Sequence, residues 1–271
     1  MAGVSDLLKP RPVLLSTASV YPESVAATFE LAGELGFDGI ELMVSVEAVS
    51  NDIEAVARLS EYHAIPVGSV HAPCLLVTQR VWGTDHVAKL DRSVAAARRL
   101  GAPIVVVHPP FRWQGAYADG FVAQVRRLNE ATDVTVAVEN MYPWRTPGGE
   151  MAAYAPHWDP TDFDFPQLTL DLSHASTSRQ QSLELLDAWG ERLTHVHLTD
   201  GSGSAKDEHL LPGDGDQRAA EVLAELVRRD WQGAVVLEVN TTGFDTRDAR
   251  EQALAESLAF MRTHLAATVA S

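Results

Sequence analysis

The sequence predicts a closed (β/α)8 barrel folded as one domain over residues 1–271. Three observations lead there: short β-branched runs alternate with longer amphipathic stretches to the end of the chain, the strand-like runs number eight, and most of them end in His, Asp or Glu. Strand and helix alternating along one chain imply parallel strands joined by right-handed crossovers. Eight such units in a chain of this length suit a closed barrel better than an open doubly wound sheet, which stays as the alternative fold. No Pro-rich or Ser-rich linker, charge block or short-period repeat divides the chain.

Taken in order, strands are expected at 13–18, 38–43, 66–71, 103–108, 134–139, 168–172, 194–199 and 233–238. The stretch over 168–172 shows why: an apolar run bounded by Pro166 and Ser173 is too short for a helix and reads as a buried strand. Between the strands, amphipathic patterns predict helices at about 23–35, 51–62, 84–100, 116–130, 178–190, 216–230 and 247–266. Gly36 and Gly101 are expected as stops, with further stops near Gly190 and Gly233. The longest irregular segment, 140–167, is rich in proline and holds the adjacent Gly148 and Gly149. A loop of that length in a compact domain is usually functional, so it is expected to cover the barrel mouth, with Trp144, Arg145 or Trp158 near a substrate.

Composition bounds the function. The chain is 46% hydrophobic and 21% charged, as expected of a globular protein. Its formal charge of −16 and only three lysines, Lys9, Lys89 and Lys206, disfavour a nucleic-acid surface, which normally carries a basic footprint. A single cysteine, Cys74, excludes an intramolecular disulfide framework and a cysteine-rich zinc site. It lacks basic neighbours that would activate a thiol, so it is expected to pack. Residues 1–10 carry Asp6 instead of a basic leader, and no run approaches the ~18 apolar residues of a membrane span, so a cytoplasmic protein is expected. The Gly-rich runs at 201–204 and 213–216 match no phosphate-loop or dinucleotide fingerprint, so no nucleotide cofactor is expected and these runs read as flexible loop.

The strand ends carry the chemistry. Strand three ends in His71, four in His108, five in Glu139, six in Asp171 with His174 three residues on, seven contains His197, and eight ends in Glu238. A barrel aims such residues at one mouth. Carboxylates and imidazoles converging without cysteine are ligands for a divalent ion such as Mn, Mg, Co or Zn. Without a cation so many like charges repel one another. Glu139, Asp171, His197 and Glu238 are therefore the expected metal ligands. Against this stands the bland reading in which Asp171 only caps the next helix and His174 decorates its first turn. Glu41 is expected as a hydrogen-bond acceptor or salt-bridge partner and not as a ligand. His71 and His108 could simply shape the pocket, and Asp207 and His209 could belong to an ordinary polar loop. His195 is expected to face away from His197, toward the helices, as a structural residue. Arg80 and Trp82 of the loop after strand three could stack on a base or close a sugar pocket.

With those residues in view, the chain resembles the xylose-isomerase-like TIM-barrel superfamily from GIEL at 39–42 to LEV at 237–239. The resemblance to its sugar phosphate isomerase and epimerase branch implies a metal held by Glu139 in AVEN, Asp171 in LDLSH, His197 in HVHLTD and Glu238 in LEVN, with His174 as a substrate contact. The fuller ligand pattern of endonuclease IV, which binds three zinc ions, is matched as well by adding His71, His108, His174, Asp207 and His209. Ketose 3-epimerases place a Glu six residues after the strand-five ligand and an Arg six after the metal His. Here those positions hold Arg145 and Gly203, which counts against a free ketohexose.

The expected function is therefore a divalent-metal-dependent isomerase or epimerase of a small sugar, sugar phosphate or polyol. Glu139 and Glu238 would exchange a substrate proton, while His71, His108, His174, Arg145 and Trp144 would bind substrate. One alternative is an endonuclease IV-like trinuclear zinc phosphodiesterase acting on abasic DNA. Another is a barrel that binds metal and ligand without turnover. The expected partner is a small-molecule sugar or polyol, with no membrane, and a homodimer is the assembly to test.

Overall fold

The computed structural model describes residues 11–146 and 149–266. The reading of residues 1–10, with Asp6 and Lys9, lies outside the described residues, as do Pro147 and Gly148 of the long loop. Eight parallel strands, Val13–Ser16, Gly39–Met43, Val67–His71, Ile104–Val107, Thr135–Glu139, Leu168–Asp171, Leu193–Leu198 and Ala234–Leu237, close into a barrel. Each pairs with its neighbours in chain order. The first pairs with the eighth, Val13 opposite Val235 and Leu15 opposite Leu237, so the sheet has no open edge.

Residues i and i+2 share a side of a strand, and this alternation sorts the barrel into inside and outside. Outward-facing Val13, Leu15, Ile40, Leu42, Val70, Val105, Val107, Val136 and Leu170 join the large apolar cluster with the helices. Small separate clusters fill the interior: Leu14 with Ala234 and Val236, and Ile104 with Val106 and Ala137. Leu14 fills that interior because Gly68 opposite it is bare, a Cβ there meeting the Leu14 side chain at 2.6 Å. Above this apolar plug the interior positions turn polar, and that change of chemistry makes the site.

The helices Val25–Leu35, Ile53–His63, His86–Leu100, Ala116–Ala131, Ser182–Trp189, Ala219–Arg228 and Arg247–Ala266 follow the strands in turn. Side-chain caps start several of them: Ser24 accepts from Ala27 N, Asp52 from Ala55 N, and Asp85 from Val87 N and Ala88 N. Gly36 and Gly101 stop two in the left-handed conformation, as expected. Near Gly233 the expectation differs, since that helix ends at Arg228 and Asp230 takes the positive φ. The helix expected over 178–190 is present but begins four residues later, as Ser182–Trp189. A short helix, Leu172–Ser178, turns straight off the sixth strand because Asp171 caps it, and Arg179 at φ 61 ends it before Ser182–Trp189 begins.

Residues 140–167 are not an unstructured lid. Trp144–Thr146 and Gly149–Met151 pair as an antiparallel hairpin. Tyr154 bridges to Phe111, Arg112 N donates to Ala153 O, Ala155 N to Pro110 O, and Met141 N to Trp158 O. The segment is thereby fastened to the loop after strand four. The Gly-rich 200–217 segment is fastened too, with Asp200 accepting from the backbone N–H groups of Gly201, Gly213 and Gln217. Among the described residues no helix is long and apolar enough to cross a membrane.

Candidate active site

Glu139, at the tip of strand five and 1% exposed, is the hub. Its Oε2 lies 3.2 Å from His71 Nε2 and 3.0 Å from His108 Nε2. Its Oε1 lies 3.1 Å from His197 Nδ1 and 3.2 Å from His174 Nδ1. Four strand ends thus meet on one buried carboxylate.

Around His197 Nδ1 the carboxylates crowd further. Glu238 Oε2 stands 2.9 Å away and Asp171 Oδ2 3.7 Å, besides Glu139. One nitrogen can serve at most one of these oxygens, and the contact aligned for a hydrogen bond is the one with Glu139. Glu238 Oε2 and Asp171 Oδ2 are left buried without a hydrogen-bond partner. Such orphaned anionic oxygens are costly unless a cation meets them. Asp171 divides its oxygens: Oδ1 caps the next helix by accepting from His174 N at 2.7 Å, while Oδ2 is buried 3.7 Å from His197 Nδ1.

A second cluster adjoins the first. Asp207 accepts from Ser173 Oγ at 2.7 Å, and its carboxylate lies 3.2 Å from His174 Nε2 and 3.1 Å from His209 Nε2. Asp207 and His209 are therefore part of the site and not an ordinary polar loop. Three imidazoles share one arrangement. His71 Nδ1 lies 3.1 Å from Ala72 O, His174 Nδ1 2.8 Å from Asn140 O and His209 Nδ1 2.9 Å from Glu238 O. A carbonyl only accepts, so each Nδ1 carries hydrogen and each Nε2 is turned toward a carboxylate. Those nitrogens must either be protonated or meet a metal, and a backbone carbonyl behind the imidazole is a common support for a metal-ligating histidine. The donor atoms of His71, His108 and Glu139 lie within 4.8 Å of one another, as do those of Glu139, Asp171 and His197, and those of Asp171, His174 and His209. The residues fit one to three divalent ions.

The charges of the metal-free site follow from the same contacts. Burial opposes ionisation of Glu139, yet His197 and His108 hold its carboxyl well below the usual range. Asp207 is likewise held low against burial by His209 and His174. Asp171 goes the other way: burial pushes it up to about 6, with His174 and His209 only partly offsetting this. Burial lowers the proton affinity of His209, but Asp207 and Asp171 overcome it and raise its pKa to about 10. Against the opposing effect of burial, the carboxylates raise the proton affinity of His71, His174, His197 and His209, whose bound protons offset the negative charge, whereas burial lowers that of His108.

Above these groups lies a cavity of about 280 Å³, lined by His108, Glu139, His174, Asp207 and Glu238 below and by Met43, Leu75, Met141, Tyr142, Tyr154 and Val239 at the sides. Among the described residues no lysine or arginine lines it. Arg145 is engaged elsewhere, with Nε 3.1 Å from Glu150 and Nη1 donating to Ser204 O. Trp144 packs against Phe111, Trp113 and Tyr154, and Trp158 packs in the same cluster, neither reaching the cavity wall. Trp82 donates to Asn51 O and is covered by Arg92, and Arg80 is exposed. Burial pushes the Cys74 thiol up to about 12, in keeping with a packing role.

His195 departs from the expectation. With Val196 pointing out, His195 lies on the same interior side as His197, because residues two apart share a face. Its Nε2 is 2.8 Å from Glu41 Oε2, far from any helix. Glu41 is an acceptor, as expected, but it sits fully buried beneath the mouth and not at it. The sequence reading passes over Tyr142, Tyr154 and Asn140. Asn140 joins strands five and six, donating to Asp171 O and accepting from Asp171 N. Its place directly after Glu139 at the strand tip was the available signal.

Comparisons with known proteins agree with this architecture. The sequence matches the family described as xylose isomerase-like TIM barrel over residues 29–264. An uncharacterized protein of Mycobacterium tuberculosis is 52% identical over 270 residues, covering 93% of this chain and 96% of its own. Fructoselysine 3-epimerase of Escherichia coli O157:H7 is 26% identical over 238 residues, covering 79% of this chain and 84% of its own. The solved structure of 3-keto-D-glucoside 4-epimerase from E. coli superposes with a TM-score of 0.66 at 20% identity, covering 93% of this chain and 99% of that one. At that identity the likeness is one of fold.

Proposed function

This chain belongs to the xylose isomerase-like TIM-barrel family, and on that premise we propose that it is a divalent-metal-dependent isomerase or epimerase of a small neutral sugar or polyol. One observation carries the reading: three carboxylate oxygens, from Glu139, Asp171 and Glu238, surround the single Nδ1 of His197, and two of them have no hydrogen-bond partner. That set would hold the ion. When bound, a divalent cation supplies a Lewis acid that stabilises negative charge developing on neighbouring substrate oxygens. The epimerase names of the relative from E. coli O157:H7 and of the E. coli structural neighbour support the same class.

The chain's own residues do the rest. Glu139 and Glu238 come from the ends of strands five and eight, three strands apart in the ring, so they reach a bound carbon skeleton from different directions. His197 and His209 hold Glu238 in its ionised form against the opposing effect of burial, which suits a base. Glu139, which rests ionised among four imidazoles, is the partner: it takes up a proton from a neighbouring protonated imidazole and delivers that proton to the carbon, while Glu238 keeps the one it removed. Tyr142, Tyr154 and Met141 shield the cavity from water. The absence of lysine and arginine from its lining favours an uncharged substrate over a sugar phosphate.

The test is exchange of solvent deuterium into carbon-bound positions of a sugar and polyol panel with metal-loaded protein. Label should enter substrate or product, and Glu139→Gln and Glu238→Gln should each remove turnover while substrate still binds. A second reading has its own observation, the His71, His108 and Glu139 group together with Asp171, His174 and His209 beside Asp207, which makes room for three ions. A phosphodiesterase of that kind would bind three zinc ions, cleave an abasic duplex and put no label on carbon. Cleavage lost in His71→Ala or His209→Ala, with silence on every sugar, would replace the first reading by the second.

A further inference from the structure

Beneath the candidate metal ligands lies a fully buried carboxylate that touches no substrate space. Glu41, on strand two, is 0% exposed. Its Oε2 accepts from Ser69 Oγ at 2.7 Å and faces His195 Nε2 at 2.8 Å. Its Oε1 faces His197 Nε2 at 3.0 Å. Among the described residues no lysine or arginine contacts it. A buried carboxylate with only imidazole and hydroxyl partners is an expensive way to join three strands, since apolar side chains would do so without desolvating a charge. The arrangement calls for another reason.

That reason lies in the opposite edge of the His197 ring. Nε2 meets Glu41, and Nδ1 meets Glu139, Asp171 and Glu238. An imidazole that commits its hydrogen at Nε2 presents a lone pair at Nδ1, and a lone pair among three carboxylates is favourable only when a cation sits between them. The Glu41 Oε1 to His197 Nε2 contact is close but not aligned as a hydrogen bond, and neither atom has another partner. They are left for each other. His195, donating to the second oxygen of Glu41, and Ser69 keep that carboxylate from turning away.

We propose that Glu41 is a positioning residue for the metal centre: it fixes His197 as the tautomer with hydrogen on Nε2, so that Nδ1 is the ligand, and its negative charge strengthens that ligand. His195 and Ser69 in turn hold Glu41. This rests on the metal-dependent reading above and adds a residue that contacts neither metal nor substrate. A carboxylate behind a ligating histidine characteristically raises affinity about 10- to 100-fold. Gln in its place turns an amide toward one of the two imidazoles, and a donor facing His197 Nε2 moves hydrogen to Nδ1.

The experiment uses the full chain, stripped of metal by chelator and titrated calorimetrically with Zn²⁺ and Mn²⁺. Glu41→Gln should weaken the tightest site about 10- to 100-fold, and Asp171→Ala should abolish it. Nitrogen NMR of the zinc-loaded wild type with ¹⁵N-labelled histidine supplies a readout that needs no variant. It should show His197 with hydrogen on Nε2 and none on Nδ1. Wild-type affinity in Glu41→Gln, with loss in Asp171→Ala, overturns the role of Glu41 and leaves the proposed function standing. Hydrogen on Nδ1 of His197 in the zinc-loaded protein overturns it equally, including where Glu41→Gln does not fold. A wild type that binds neither ion overturns both readings.

Discussion

Asp171 does two incompatible-looking jobs with two oxygens. Oδ1 caps the helix Leu172–Ser178, and Oδ2 faces the site without a donor. Because burial lifts its pKa to about 6, protons compete with metal there sooner than at Glu139 or Asp207, which are held low. Metal affinity of the wild type measured between pH 7.5 and 5 should therefore fall as pH drops through about 6. The histidines act with the opposite sign in chelated protein. His209 has a folded pKa of about 10, above the ordinary value, so its contribution to stability is fully present below the unfolded pKa and is lost as pH rises through about 10. Denaturant titrations of chelated protein should show this alkaline loss, and metal-loaded protein, in which the imidazoles no longer need the protons, should show less of it. At this scale the sequence reads well where a side chain is delivered by a strand end, as with His71, His108, Glu139 and His197. It misleads at His195, whose two-residue spacing from His197 puts both inside the barrel.

At the scale of elements, the wall of the pocket is made by segments held at a distance in sequence. Arg145 on the hairpin pairs with Glu150 beside it and reaches Ser204 O on the loop after strand seven, tying two mouth loops together. It is occupied there, so Arg145→Ala should change the KM of phosphorylated and unphosphorylated ligands by the same factor, and a selective loss of the phosphorylated ligand would restore it as a phosphate contact. The same substitution should increase hydrogen exchange in both loops, because the clamp and not the cavity is what it removes. None of this was legible in residues 140–167. Their proline content reads as an irregular loop, whereas pairing of Tyr154 with Phe111 and the edge-on packing of Trp144 against Phe111 depend on what strand four brings alongside. Tyr142 and Tyr154 escaped for that reason, while Trp144 and Trp158 drew attention by type although their rings pack behind the wall.

For the whole molecule, legibility and stability have one origin. Strands whose outward residues pack on helices write a two-residue alternation, which in most of them ends in or near His, Asp or Glu, and the expected ranges match all eight strands to within a residue or two. The same alternation gathers the tips at one mouth, so the groups that read as ligands belong to six different strands or their following loops. A cation bound there crosslinks the barrel, and it binds only when the barrel is closed, since the unfolded chain scatters its ligands over residues 71 to 238. The stabilisation then follows mass action and reaches about 2.7 kcal/mol at a free metal concentration of 100 times Kd. For a barrel of this size each kcal/mol raises Tm by roughly 2–4 °C, so the melt with metal should stand roughly 5–11 °C above the melt with chelator. Asp171→Ala should lose about 1 kcal/mol in both conditions through its lost helix cap and should lose the metal-dependent increment besides. A wild-type melt indifferent to every divalent ion would mean that the carboxylates of the mouth are balanced by protonated histidines alone.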